Sequence, residues 1–241
     1  MKAGKIYIGT SGWHYKHWKD FYPKDIKQSE QLAYLANMFS TVEINNSFYQ
    51  LPTKETFENW RKEVPDDFIF AIKGSQFISH MKKLKVNGKS INDFLDHAKC
   101  LKSKLGPVLF QLPPRWKVNA ERLRDFLQLL PRTVRFTFEF RDHSWNTSEI
   151  YNLLEQYRCA YCIYNLAGYQ SPYIITSDFV YIRLHGPDDK YEGSYSKSAL
   201  TKWAENCLAW QTEGKDVYLF FDNDQNAFAT KNALTLLSLL R

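Results

Sequence analysis

Acids, bases and amides recur near the ends of alternating segments, at spacings that would let them share one site. Phe136–Arg141 alternates without a fault, with Phe136, Phe138 and Phe140 on one face and Thr137, Glu139 and Arg141 on the other. Period two is the mark of a strand. The same period sets Glu43 and Asn45 on one face of Thr41–Phe48, Lys73 on one face of Phe68–Gly74, and Gln111 on one face of Val108–Leu112. It sets Tyr181, Arg183 and His185 together on Phe179–His185. Asn165 closes Ala160–Asn165, and Asp222 and Asn223 close Asp216–Asn223, with the inward member of that pair left open. A first segment, Lys5–Thr10, runs on into Trp13 and Tyr15.

These residue types suggest acid–base chemistry on an anionic substrate. Glu43 and Glu139 are the catalytic candidates, since two carboxylates flanking a substrate can act as acid and base, and His185 is a third. Arg141, Arg183 and Lys73 would hold the anion, because the guanidinium fork matches phosphate or carboxylate. Trp13, Tyr15 and Trp145 follow strand ends and would stack on a sugar or base, as would Trp18, Phe48, Tyr49 and Trp116. Asn45, Gln111, His143, Asn165, Asp222 and Asn223 complete the expected substrate contacts. The competing reading is a buried ion-pair network that only fills space. Such a network is disfavoured because barrel interiors are mostly apolar and an unpaired buried charge is costly.

Other chemistry is weaker. His14, His143 and His185 with Glu43, Glu139 and Asp222 could hold zinc or manganese, but no HxH or HExxH spacing occurs and three cations stand nearby. No cofactor is expected, and a divalent metal ranks well behind a metal-free site. Cys159 and Cys162 have CxxC spacing at the start of a strand, where packing outweighs redox or zinc. Lys82, Lys83 and Lys85 form a basic loop that reads as solvated surface or a phosphate contact, and 186–195 reads as a mobile loop over the same face. Backbone amides near Asn226 could meet phosphate.

Eight strand candidates alternate with helical patterns at Gln28–Phe39, Thr53–Glu63, Ser90–Leu105, Asn119–Leu130, Thr147–Tyr157, Ser196–Gln211 and Asn226–Leu240. Only 166–178 lacks a helix. Strict alternation predicts a single α/β domain over residues 1–241, a (β/α)8 TIM-like barrel with a degenerate sixth helix, whose site lies at the C-terminal face. A doubly wound open sheet comes second, for want of a GxGxxG turn. At 241 residues, 44% hydrophobic and 24% charged, the chain fits one soluble domain. No apolar run reaches membrane length, no secretory signal precedes the first strand, and four scattered cysteines make no disulfide framework. A cytoplasmic protein is expected. The net charge of +6 tilts the choice of partner towards a small anion or nucleic acid.

Several segments resemble, in order, those of the YecE-like family, a numbered domain of unknown function. They are 9–13 with Tyr15 and Trp18, 21–23, 41–45 with 47–49, 106–114, Glu139-Phe140-Arg141 with 143–145, and 181–186. The resemblance covers almost the whole chain and implies a TIM-like barrel, but no reaction. Asp142 departs from the pattern by separating Arg141 from His143, which leaves the role of His143 open. The function expected is an enzyme, with hydrolases one candidate class, acting on a phosphate-bearing or other anionic substrate at the mouth. The alternatives are a carbohydrate-active enzyme using Glu43 and Glu139, and a non-catalytic nucleic-acid-binding module.

Overall fold

The computed structural model describes residues 3–241; the reading of Met1 and Lys2 as a lead-in to a strand lies outside the described residues. Nine strands form one sheet: β1 Ile6–Ser11, β2 Thr41–Ile44, β3 Ile69–Lys73, β4 Leu105–Leu112, β5 Phe136–Phe140, β6 Ala160–Leu166, β7 Tyr169–Gln170, β8 Phe179–Leu184 and β9 Asp216–Phe221. β1 pairs in parallel with both β2 and β9, and β5 pairs with both β4 and β6. β8 lies between β6 and β9, so eight parallel strands close into a ring. The two-residue β7 stands outside it, folded back antiparallel on β6. The main helices are α1 Gln31–Met38, α2 Asn46–Tyr49, α3 Lys54–Glu63, α4 Gly88–Ala98, α5 Ala120–Gln128, α6 Ser148–Gln156, α7 Lys197–Thr212 and α8 Phe228–Leu239. This is the expected TIM-like barrel, and the β6–β7 hairpin occupies the place of the sixth helix.

The strands divide their side chains between two cores, as parallel strands covered on both faces must. Outward residues such as Val42, Ile72, Phe110 and Phe138 join the helix faces, with the Phe110 and Phe126 rings 5.0 Å apart. Inward residues Ala71, Leu109, Cys162, Tyr181 and Phe220 form a separate apolar plug inside the ring. Each fully buried large side chain here contributes about 1.5–3 kcal/mol. Helix starts are capped by short polar side chains: Thr53 accepts from Thr56 N, Asn119 from Arg122 N, Thr147 from Ile150 N and Ser196 from Ala199 N.

Local details differ from expectation. β2 stops at Ile44 rather than Phe48, because Ser47 Oγ donates to the carbonyls of Ile44 and Lys73 and draws the chain into the short α2. α4 is capped by Asn87, whose Oδ1 accepts from Ser90 N, so Ser90 is not its cap. α8 begins at Phe228, after Asn226 and Ala227 turn through φ of 51° and 56°. Among the described residues, no helix is long and apolar enough to cross a membrane.

At Gly9, paired with Thr41, β1 leaves no room for a side chain against β2. A Cβ there would lie 2.2 Å from the Thr41 carbonyl oxygen, which the sheet holds in place. Gly9→Ala should therefore cost about 1–3 kcal/mol by overpacking, read as a lower urea midpoint at unchanged m-value.

Candidate active site at the mouth of the barrel

Directly above the apolar plug the interior turns ionic. Arg183, on β8 and 1% exposed, is the hub. Its Nη2 donates to Glu43 Oε1 at 2.8 Å and to Asp222 Oδ2 at 3.0 Å, and its Nη1 donates to Glu139 Oε2 at 2.9 Å. Glu43, on β2, also accepts from Ser11 Oγ at 2.9 Å and Tyr181 Oη at 2.6 Å. Glu139, on β5, accepts from Arg141 Nε, and Arg141 Nη2 lies 3.0 Å from His185 Nε2. The other nitrogen of His185 is 2.9 Å from Asp222 Oδ2. A histidine that accepts from Arg141 at Nε2 carries its proton on Nδ1 and donates to Asp222.

The charges within this network fix its ionisation. Burial opposes ionisation of Glu139, but the Arg141 and Arg183 guanidiniums outweigh it and hold the carboxyl well below its usual range. Asp222 is lowered in the same way, with Arg183 overcoming burial. Glu43, Glu139 and His185 are fully buried and engaged with protein partners. Three carboxylates, Glu43, Glu139 and Asp222, stand against the three cations Arg141, Arg183 and Lys73.

The accessible edge has a different character. Lys73, Gln111, Arg141 and Asp222 are partly exposed there. Lys73 Nζ sits 4.4 Å from the Phe48 ring centroid and forms no ion pair among the described residues. Burial, followed by Arg183, pushes its ammonium down to about 8, against the pull of Asp222, Glu139 and Glu43. Asn45 Oδ1 and Gln111 Oε1 are buried without a hydrogen-bond donor among the described residues. Beside the mouth, Gly12, Trp13, Tyr15, Asn45 and Tyr49 help line a hollow of about 320 Å³.

Not every residue expected at the site reaches it. Asn165 points to the outer side, where its Oδ1 accepts from Tyr195 Oη and its amide donates to the Tyr169 carbonyl. Tyr164 takes the inward position, with Arg141 5.1 Å over its ring. Asn223 is fully buried and ties the Gly193 carbonyl to Asn232, so Asp222 is the inward member of the pair. Trp145 stacks on Phe140 and donates to the Trp116 carbonyl, as packing rather than rim. His143 is exposed against Tyr169. Cys159 is buried, and its thiol is pushed up to about 12 by burial, which makes it an inert packing group.

Two contributors escaped the sequence reading. His80, on the short turn Phe77–Met81, packs edge-on against Phe48 at 4.9 Å and is held below its ordinary range by burial, Lys73 and Arg141. Tyr191 lies 5.7 Å from the His185 ring, and its backbone N–H donates to the His185 carbonyl. The 186–195 loop is bonded down over the mouth. Gly186, at φ +121°, could not carry a Cβ, which would meet the Glu192 carbonyl at 2.2 Å. Among the described residues, no group of three or more His, Cys, Asp or Glu side chains is arranged to hold a metal.

The fold recurs in solved structures of a known family. A DUF72 family protein from Thermotoga maritima MSB8 superposes with a TM-score of 0.89 at 27% identity, over 98% of this chain and 99% of that one. A second DUF72 structure, from Enterococcus faecalis, shares the fold at a TM-score of 0.84 and 19% identity, over 98% and 95% of the two chains. The chain is 27% identical to the UPF0759 protein YunF of Bacillus subtilis, over 98% of this chain and 94% of that protein. It is 31% identical to the UPF0759 protein YecE of Escherichia coli over 56% of this chain and 48% of that protein. Residues 7–241 match the family described as "Protein of unknown function DUF72", and the chain belongs to that family.

Proposed function

We propose that the mouth of the barrel is an enzyme active site for a small anionic, hydroxyl-bearing substrate. The observation that carries this reading is the contrast between the buried network and its edge. Below, the carboxylates are consumed by Arg183 and its neighbours; at the edge, Lys73 and Arg141 are the cations within reach of a ligand. Arg141 Nη1 makes no hydrogen bond among the described residues, so a guanidinium edge is left for phosphate or carboxylate. The unpaired oxygens of Asn45 and Gln111 call for donors, which substrate hydroxyls supply. In this scheme Glu43 and Glu139 hold Arg183 and Arg141 in place rather than meet the substrate.

A ligand at a hundred times its Kd stabilises a protein by about 2.7 kcal/mol, or roughly 5–10 °C for a domain of this size. Inorganic phosphate and fructose 6-phosphate should raise the melting temperature on that scale, less at high salt, and Arg141→Gln should abolish the rise. No rise with either would refute the proposal. The aromatic hollow beside the mouth favours a second reading, a carbohydrate site; a salt-independent rise with fructose alone would replace the first reading by it. Salt-sensitive binding of poly(dT) without a phosphate response would support the nucleic-acid module instead.

A further inference from the structure

We propose that Lys73 is a covalent nucleophile, whose ε-amine condenses with the carbonyl of a small anionic ketone or aldehyde, and that His80 moves the protons. This rests on the anion-binding reading above and narrows its substrate to carbonyl compounds.

A lysine placed only to supply charge would pair with the nearest carboxylate. Three carboxylates lie close enough to act on Lys73, yet Arg183 and Arg141 occupy them. The amine is turned instead onto the face of Phe48. Its backbone is pinned, since the Lys73 carbonyl accepts from Ser47 Oγ at 2.6 Å. A largely desolvated amine beside other cations is the usual setting of an imine-forming lysine. With an ammonium pushed down to about 8, a sizeable fraction is neutral near physiological pH. Arg141, on the neighbouring side of the mouth, is left to hold the anion.

His80 meets the same Phe48 ring edge-on, at 85°. Its Nδ1 is 2.9 Å from Ser79 Oγ, which leaves Nε2 to exchange protons. The reaction balances without an external oxidant or reductant. The neutral amine attacks the carbonyl carbon, a C–N bond forms, and the carbonyl electron pair goes to oxygen, which takes a proton. The nitrogen loses one proton to His80. Protonation of the hydroxyl then expels water, and the nitrogen lone pair closes the C=N bond as an iminium.

Borohydride reduction in the presence of dihydroxyacetone phosphate or pyruvate tests the proposal. The expected result is a mass gain equal to the probe less one oxygen atom, mapped to the Lys73 peptide and absent in Lys73→Arg. Trapping should rise with pH through about 8, and His80→Asn should slow it about a hundredfold. Adducts spread over surface lysines, or none at Lys73 with either probe, would overturn the proposal. If phosphate still raises the melting temperature of the wild type in that case, the imine fails and the anion site stands; if it does not, both fail.

Discussion

Arg183→Met is expected to cost about 3–5 kcal/mol, the range for removing one partner of a buried ion pair and stranding the others. That is a large part of the 5–15 kcal/mol by which a typical domain is stable. The reason is local. Among the described residues, Arg183 is the one group that touches Glu43, Glu139 and Asp222 together, and without it three carboxylates face one another above an apolar plug. Urea unfolding at pH 7 reads the loss, and pH separates charge from packing. In the wild type the depressed carboxyls of Glu139 and Asp222 contribute stability that is present above the ordinary carboxylate range. That contribution is lost as pH falls towards their folded values. In the variant the same carboxyls repel, so protonation relieves the protein. The gap between the two should therefore begin to close on acidification above the ordinary carboxylate range, as the repelling carboxyls of the variant take up protons, and close further below it as the wild type loses its ion pairs. A gap that stays constant with pH would mean that Arg183 matters for its volume and not for its charge. Glu43→Gln should also cost less in the variant than in the wild type, which measures the coupling directly.

The convergence of these residues was readable before the structure, though their pairing into a buried network was the disfavoured reading, and the reason lies in strand parity. In β5 and β8, alternation continues to the last residue, so Glu139, Arg183 and His185 could be assigned inward from their apolar neighbours alone. Parity in β6 runs through Cys162 and Tyr164, which puts Asn165 outside; choosing the last polar residue of that strand overrode the period. Asn45 shows another limit. Alternation assumes that the strand continues, but the Ser47 hydroxyl ends β2 with two hydrogen bonds, one of them to a distant carbonyl on β3. Trp145 misled because an aromatic residue after a strand packs or stacks according to neighbours that are far away in sequence.

The balance of charge was harder to see. Arg141, Arg183 and Lys73 can be counted from sequence, but which carboxylates stay buried beneath them and which cation stays at the edge depends on three-dimensional pairing. The same holds for His80, which lies in a segment without strand period. Only the shared contact with Phe48 links it to Lys73. The network Glu43–Arg183–Glu139 thus has the character of a scaffold, and the accessible edge above it is built from residues whose partners come from other strands and loops.

Lys73→Met should make the protein more stable at neutral pH, an unusual outcome for a half-buried residue. The Lys73 ammonium titrates near 8 when folded and near 10.5 in its ordinary state. Between those values the unfolded chain binds more protons, so the lysine's contribution to stability becomes more favourable as pH rises from about 8 to 10.5. Below 8 both states are protonated and the folded state carries the full penalty, about 3 kcal/mol, offset by about 1 kcal/mol from the cation over the Phe48 ring. Methionine is unbranched and only one atom shorter, so it fills nearly the same space against the ring while removing the charge. Its advantage of about 2 kcal/mol at pH 7 should shrink steadily above pH 8, as urea unfolding along a pH series would show. A pH-independent difference would place the Lys73 ammonium at its ordinary value. The amine would then be fully protonated at neutral pH, and the imine chemistry would lose its nucleophile while Arg141 could still bind an anion.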